Sequence, residues 1–250
     1  MNNLLKKSLL AATLAVAMAG SANAGYISLD WQEEGDELAF LDEDAGIEWL
    51  KLTETAGMSI NDVQAELGAG GLYEGWRLAS AFEVESITKD LTGYSESASL
   101  SNVSYDKTTR MHEDFVDLFD WTNTVTTGSG WSTAVNYTSY GLYLDGEDVD
   151  MAGTRLYKDV KFPTNSRYFS DVNIGFENDY SMDYTSPNYA VYLVADGGAT
   201  LTTQQDMSLV ANNPNAAINV SEPTGAVLMA AGLLGLGAVR RRKQAKAAEV

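Results

Sequence analysis

The chain of 250 residues has no cysteine, only four prolines and a single histidine. Without cysteine it can form no disulfide, thiolate metal site or thiol nucleophile, so its core must rest on packing alone. One histidine excludes a histidine-rich zinc site. A Ser-His-Asp triad would have to use His112, and no G-x-S-x-G motif supplies a nucleophile. We therefore predict that His112 is a solvated residue of an acidic helix.

Basic residues are scarce in the middle of the chain. From Gly25 to Ser221, nine Lys or Arg stand against 33 Asp or Glu, a net charge of −24 compared with −19 for the whole chain. Such a body repels nucleic acid and anionic lipid, which bind basic surfaces. Its charge serves solubility or attracts divalent cations and cationic polymers, and the composition leaves both interpretations open.

The N-terminus has the three parts of a secretory signal peptide. A basic n-region is followed by an apolar run over residues 8–20, and Ala22 and Ala24 form an A-x-A cleavage signal. The alternative is an N-terminal membrane anchor, for which the apolar run is too short to span comfortably. We predict that residues 1–24 are removed and that the mature chain begins at Gly25.

The C-terminus combines three further elements in a fixed order: a polar motif, an apolar segment and a basic cluster. The apolar segment is shorter than the roughly 20 residues that cross a bilayer, and the basic cluster would stay cytoplasmic. With an exported N-terminus, this predicts one transient span with the body outside and residues 244–250 as a cytoplasmic tail. The alternative is a permanent C-terminal anchor. The elements are a polar motif, Val220, Ser221, Glu222 and Pro223; an apolar helix over 224–239; and a membrane stop, Arg240, Arg241, Arg242 and Lys243.

This order of elements resembles the PEP-CTERM sorting signal of Gram-negative bacteria, over residues 220–243. Glu222 and Pro223 match the signal directly, and Ser221 stands where the family usually has its first proline. The resemblance implies two processing partners, signal peptidase and an exosortase-like enzyme that cuts near the motif. It also implies export by the general secretion route, an inner-membrane intermediate, and a final place at the cell surface or outside the cell.

Between the two terminal signals, the length suits one domain with a sizeable core. We predict an acidic globular domain of the α+β class over residues 25–201, mainly antiparallel β with two or three short helices between residues 59 and 120. A polar stretch over 202–219 is predicted to be a spacer.

Two serines, each followed three residues later by a carboxylate, predict helix starts with capping boxes. They are Ser59 with Asp62, and Ser80 with Glu83. The second helix is predicted over residues 82–91, with Phe82, Ile87 and Leu91 facing inward. A third, acidic helix is predicted over 111–121. Strands are predicted in 25–40, 47–52, 121–143, 156–162 and 189–194, the last of them buried, and a loop in 94–105.

A second resemblance covers residues 42–91. Gly-Ile-Glu-Trp-Leu at 46–50, a helix, and Gly-Trp-Arg-Leu-Ala-Ser at 75–80 resemble a recurrent module of bacterial secreted and surface proteins. The resemblance implies the first half of a fold similar to the C-type-lectin fold. We predict that Trp76 is a core residue and that Arg77 bridges to an acidic strand edge.

Four carboxylates within six residues make calcium the most reasonable cofactor, because hard cations prefer clustered oxygen ligands. They are Asp145, Glu147, Asp148 and Asp150. Their spacing is not that of an EF-hand loop, and a charged hairpin tip is the alternative interpretation. A second, weaker acidic cluster is Glu33, Glu34, Asp36 and Glu37. No phosphate-binding or dinucleotide motif occurs, so no organic cofactor is expected.

Three functions from different classes fit this sequence. The first is a non-catalytic surface or extracellular-matrix protein associated with exopolysaccharide or biofilm. The second is a lectin-like module that binds glycans with the help of calcium. The third is a secreted hydrolase that uses carboxylates, for which more than 30 acidic residues leave no specific pair to choose.

Overall fold

The computed structural model describes residues 25–101, 112–129, 132–161, 167–177 and 180–210. The predicted signal peptide, the sorting motif with its apolar segment, the membrane stop and the cytoplasmic tail lie outside these residues. Within the described ranges, no helix combines the length and apolar character needed to cross a bilayer.

The described residues form helices and strands in mainly antiparallel sheets, which confirms the α+β class. The helices are α1 (Ile60–Ala65), α2 (Ala81–Thr92), α3 (Glu113–Phe119) and α4 (Leu201–Gln205), with 3-10 helices at Leu52–Thr55 and Met207–Val210. The strands are β1 (Tyr26–Leu29), β2 (Ala39–Asp42), β3 (Ile47–Leu50), β4 (Arg77–Leu78), β5 (Ala98–Ser101), β6 (Asn123–Ser129), β7 (Ser132–Asp145), β8 (Asp148–Lys161), β9 (Arg167–Glu177), β10 (Tyr189–Val191) and β11 (Leu193–Ala195).

The strands form two sheets. The short sheet has the order β1-β2-β3-β11-β4, with every pair antiparallel. The long sheet has the order β10-β7-β8-β9-β5, and β6 also pairs with the first half of β7. Its one parallel pair is β10 with β7. Because β7 and β8 are each 14 residues long, the long sheet extends well past its contact with the short sheet.

Successive residues of the short sheet pack into two separate cores, as the alternation of side chains along a strand requires. Leu50 and Leu193 belong to one core, together with a stack of Trp31 on Tyr73 at 5.8 Å between ring centroids. Trp49 belongs to the other, where Phe119 of α3 meets its ring edge-on at 5.7 Å. The short sheet is therefore buried on both faces.

The predicted buried strand over 189–194 is two strands that belong to different sheets. Tyr192 lies between β10 and β11, and its backbone N–H donates to the carbonyl of Leu142 in β7 at 3.2 Å. Its own carbonyl accepts from the N–H of Ala79, next to β4, at 3.1 Å. Tyr192 is 1 % exposed, so this crossover joins the two sheets inside the core. The predicted loop over 94–105 also contains a strand, β5, at the edge of the long sheet.

Both predicted helix starts are confirmed. Ser59 and Ser80 cap α1 and α2, and the carboxylates of Asp62 and Glu83 each accept a hydrogen bond from the cap residue's backbone N–H. The inward face predicted for α2 is partly wrong. Phe82 is 82 % exposed, because the helix turns Val84, Ile87 and Leu91 toward the core instead.

The spacer predicted from residue 202 begins too early, because the domain continues to Val210. That residue is fully buried in the first core and ends the second 3-10 helix, which follows α4. The anchor of this segment is Glu48 of β3, which is 0 % exposed. Polar residues fold onto the domain here because a buried carboxylate accepts their hydrogen bonds. Its donors are the N–H groups of Gly198 at 3.2 Å and Ala199 at 3.1 Å, and the hydroxyls of Thr200 at 3.2 Å and Thr203.

Candidate functional site

A cleft of about 640 Å³ lies on one face of the long sheet, beyond its contact with the short sheet. Directly paired residues of neighbouring strands share a face, and the register places one set of side chains together here. We call this the open face. Its residues are Val125 of β6, Asn136 of β7, Arg155 and Tyr157 of β8, and Phe169 and Asp171 of β9.

Aromatic side chains form the floor of the cleft. The rings of Tyr157 and Phe169 lie 5.8 Å apart at an interplanar angle of 58°. Both are only half-buried, and Val125, which pairs with Asn136 on the same face, is 40 % exposed. Half-buried rings of this kind offer an apolar surface on which a flat ligand can stack.

Planar polar groups surround these rings. The guanidinium of Arg155 is held by Asp171, with Nε at 2.8 Å from a carboxylate oxygen. Burial opposes the charge on this guanidinium, but nearby Tyr140 and Asp171 act more strongly together and raise the pKa of Arg155. The side-chain oxygen of Asn136 is shielded from solvent and accepts no hydrogen bond from the described residues. The cleft thus combines stacking surfaces with fixed hydrogen-bonding groups.

A β-bulge sets the position of this face. The pairing of β8 with β9 shifts by one residue between Met151 and Gly153. Gly153 has φ +130°, and a Cβ built on it would lie 2.1 Å from the carbonyl oxygen of Ser139. Only glycine fits at position 153. The extra residue of the bulge lies on β9, between Asn173 and Phe176, so the bulge determines that Phe169 and Asp171 of β9 share a face with Tyr157 and Arg155 of β8.

The four carboxylates predicted to bind calcium occupy a hairpin and are divided between two environments. Asp145 and Asp148 pair across the ends of β7 and β8, and Gly146 has φ +65° in the two-residue turn between them. Asp145, Glu147 and Asp148 are exposed, whereas Asp150 is 4 % exposed. Within the described ranges, no group of three or more acidic, histidine or cysteine side chains is arranged to hold a metal ion.

The second acidic cluster contains a structural residue. Asp36 accepts backbone N–H groups from Trp31, Gln32, Glu33 and Leu38, at 2.8 to 3.1 Å. Burial disfavours its charge, but these four hydrogen bonds outweigh that effect and lower the pKa of Asp36. The carboxylate therefore fixes the loop between β1 and β2.

The prediction for His112 is wrong, because the ring is buried. It is 2 % exposed and lies at the N-terminal end of α3, with its centroid 6.1 Å from that of Trp121. Burial lowers the pKa of His112 to about 4, so the imidazole is neutral at pH 7. The sequence gives no warning of this, because the hydrophobic contacts of α3 come from distant strands.

The roles predicted for Trp76 and Arg77 are confirmed. Trp76 is 4 % exposed and belongs to the first core. Arg77 pairs with Glu83 of α2 at 2.7 Å and with Asp196, after β11, at 2.9 Å. Both residues therefore support the fold.

None of the residues that line the cleft was predicted from the sequence as a site residue. Alternation along β8 could have placed Arg155 and Tyr157 on one face, because they are two residues apart in a strand. It could not have brought Asn136 or Phe169 to them, since that depends on the pairing of strands. Comparison with protein-family models, with curated proteins and with solved structures returns no match. The chemistry of the cleft is therefore the basis for a functional assignment.

Proposed function

We propose that this protein is an exported, non-catalytic protein of the cell surface or extracellular matrix that binds neutral polysaccharide along the open face of its long sheet. The observation that carries this proposal is the cleft, where Tyr157 and Phe169 form a half-buried aromatic floor beside Asn136 and the Arg155–Asp171 pair. A sugar ring has an apolar C–H face that stacks on aromatic rings. Its hydroxyl groups pair with amide, carboxylate and guanidinium groups.

The shape and charge of the cleft favour a neutral chain over other ligands. A volume of about 640 Å³ on an open sheet accommodates an internal stretch of a polymer. The body's net charge of −24 repels polyanions such as uronate-rich polysaccharides. Asp171 is the one acidic residue among those that line the cleft, so the two-carboxylate arrangement of glycoside hydrolysis has no support there.

The exported setting is part of the proposal and rests on the predicted terminal signals. The described domain begins at Gly25, whose carbonyl accepts the N–H of Glu43 at 2.8 Å, so cleavage before Gly25 would leave β1 whole. A lectin-like module within residues 42–91 also remains a proposal. It is supported by β3 and by the capped start of α2, which occupy the two positions that the resemblance requires.

We expect full-length protein to bind insoluble cellulose or chitin and soluble dextran, and to bind alginate much more weakly. Replacing Tyr157 and Phe169 together by alanine should weaken binding to the neutral polymers by about 30-fold, because each stacked ring contributes roughly 1 kcal/mol. The measurement is a depletion isotherm for the insoluble polymers and affinity electrophoresis for the soluble ones.

The matched control is Tyr168→Ala. Tyr168 precedes Phe169 on the same strand and points to the opposite face, so its removal should leave polymer binding intact. Equal binding by wild type and the double variant would reject the cleft as the site. Adding EDTA or calcium should change nothing, and a loss of binding in EDTA would instead support the calcium-assisted alternative and direct attention to Asp145, Glu147 and Asp148.

The sorting proposal predicts two processed ends. Protein recovered from its native cell surface or medium should begin at Gly25 and end between Ser221 and Thr224. Intact mass together with N- and C-terminal sequencing measures both ends. A product that still carries Arg240 to Val250 would show a permanent membrane anchor, and the exosortase part of the proposal would be abandoned.

A further inference from the structure

The strand at the outer edge of the open face, β6, lies in a stretch of the chain without charge. Residues 121–144, which include β6 and most of β7, contain no Asp, Glu, Lys or Arg, although 20 % of the chain is charged. Residues 124–128 are exposed, and among the described residues β6 pairs only with β7.

The length of β6 also distinguishes it from the other edge strands. It has seven residues, whereas β1 and β5 have four each, β10 has three and β4 has two. Proteins commonly keep edge strands short or place charged residues and proline on them, which prevents pairing between molecules. The long, exposed and uncharged edge of β6 has none of these features, so it is suited to adding a further strand.

The backbone groups of alternate β6 residues face away from β7. In an antiparallel pair, residues that bond the partner strand alternate with residues whose N–H and C=O point outward. The carbonyl of Thr138 in β7 faces β6, because it accepts the hydroxyl of Thr122 at 2.8 Å, and Thr138 pairs with Asn123. Asn123 is therefore an inward residue, and the even-numbered residues of β6 point their backbone groups outward. In agreement, the N–H of Thr124 donates to the side chain of Asn123 at 2.8 Å.

We infer that this protein forms a dimer in which β6 pairs antiparallel with β6 of a second copy, about a two-fold axis at Thr126. In this register the two Thr126 residues exchange both N–H···O=C bonds, and position 124 of each copy pairs with position 128 of the other. The side chains match as well. Threonine meets threonine across the axis on one face, and Val125 meets Thr127 on the open face, and such cross-strand pairs stabilise sheets.

The distribution of charge favours a second copy over another partner. A basic partner is drawn to the acidic surfaces of a body with a net charge of −24, and a neutral hairpin offers it nothing. Residues 25–101, which supply four of the five strands of the short sheet, have three Lys or Arg against 17 Asp or Glu. Pairing through β6 keeps these acidic parts of the two copies apart, because the long sheet extends past its contact with the short sheet.

The two-fold axis is perpendicular to the sheet, so the open faces of both copies lie on the same side of the dimer. Val125 and Thr127 of β6 line the cleft, so the two clefts adjoin across the interface. This places two binding sites for one polymer chain side by side, which increases avidity. That consequence rests on the proposed function, whereas the interface itself does not.

Sedimentation equilibrium of full-length protein in a mild detergent, without any sugar, measures the association at up to about 200 µM, where a micromolar dimer is populated. We expect a monomer–dimer equilibrium. Its dissociation constant should fall several-fold from about 0.1 M to 1 M NaCl, because repulsion between the acidic bodies is screened as the Debye length shortens from about 10 Å to about 3 Å.

Two variants of the residue at the axis test the interface. Thr126→Lys should weaken the dimer about tenfold or more, because two like charges would meet directly across the axis. Thr126→Pro should abolish it by removing the outward N–H, which the pairing with β7 does not use. Thermal unfolding checks that each variant keeps the fold, and either one that does is a sufficient test. Gln64→Lys, at an exposed position of α1, makes the same change of charge away from β6 and should leave the dimer unchanged.

Three results would overturn the inference. The first is a wild-type protein that stays monomeric at about 200 µM in 1 M NaCl. The second is a dimer that the folded Thr126 variants retain, which would assign the association to another surface or to the apolar segment 224–239. The third is an open-ended series of larger species, which would mean that β6 pairs with a different edge. Failure of polysaccharide binding alone would reject the open-face proposal and leave the dimer standing.

Discussion

Replacing Glu48 by alanine is expected to lower the free energy of unfolding by about 3 to 5 kcal/mol at pH 7. The carboxylate is fully buried and accepts hydrogen bonds from two backbone N–H groups and two threonine hydroxyls. Alanine would leave these donors buried without their acceptor. Urea denaturation measures the change, and Glu43→Ala, at an exposed position close by in sequence, is the control expected to change stability by less than about 0.5 kcal/mol.

The same residue predicts a dependence on pH. Burial raises the pKa of Glu48, and its hydrogen bonds offset only part of that effect. A folded-state pKa above the unfolded value means that the folded protein holds the proton more tightly, so this contribution to stability is present at low pH and is lost as pH rises above 4.5.

Glu48→Gln removes the titrating group, so the stability difference between wild type and this variant should fall as pH rises from 4.5 through the folded pKa. A difference that is flat across this range, or equal losses in Glu48→Ala and Glu43→Ala, would contradict the role assigned to the buried carboxylate.

Replacing Gly153 by alanine is expected to cost about 4 kcal/mol of stability. The residue has φ +130°, which costs roughly 1 to 3 kcal/mol for a residue with a Cβ, and the new atom would meet the backbone oxygen of Ser139 at 2.1 Å. A backbone oxygen in a sheet cannot move aside as a flexible side chain can. Thermal and urea unfolding measure the loss.

The control for this substitution is Gly68→Ala. Gly68 has no atom within 4 Å of the built Cβ and no positive φ, so alanine there should be neutral or slightly stabilising. If Gly153→Ala folds at low temperature, it should also bind neutral polysaccharide more weakly, because the bulge aligns Phe169 and Asp171 of β9 with Tyr157 and Arg155 on the open face. Wild-type stability in Gly153→Ala would show that the bulge has other conformations available.

Local signals in the sequence predicted local structure well. The capping boxes at Ser59 and Ser80 each involve residues three apart, so the sequence contains the whole interaction. The strand at 47–50 could be predicted for a similar reason, since alternation is a property of consecutive residues. Trp76 and Arg77 were assigned correctly because a large aromatic ring favours burial and a guanidinium seeks carboxylates.

The predictions that failed depended on partners far away in the chain. The sequence predicted that Phe82 faces the core and that His112 faces solvent. In the structure Phe82 is exposed and His112 is buried. Polar composition after residue 201 indicated a spacer, although the hydroxyl of Thr203 donates to Glu48, some 150 residues earlier, and holds that segment to the domain. No local pattern records such a contact.

The sequence by itself predicted the terminal signals, and it determined the acidic α+β domain and the starts of its helices. Each of these depends on composition or on residues a few positions apart. Tertiary structure alone decided the two sheets, the crossover at Tyr192, the open-face cleft and the burial of His112. The cleft joins β6, β7, β8 and β9 through strand registers and a bulge that no single strand specifies. Sites of this kind are formed by the pairing of strands that are far apart in the sequence. The register of that pairing is fixed when the side chains of both hydrophobic cores are buried together.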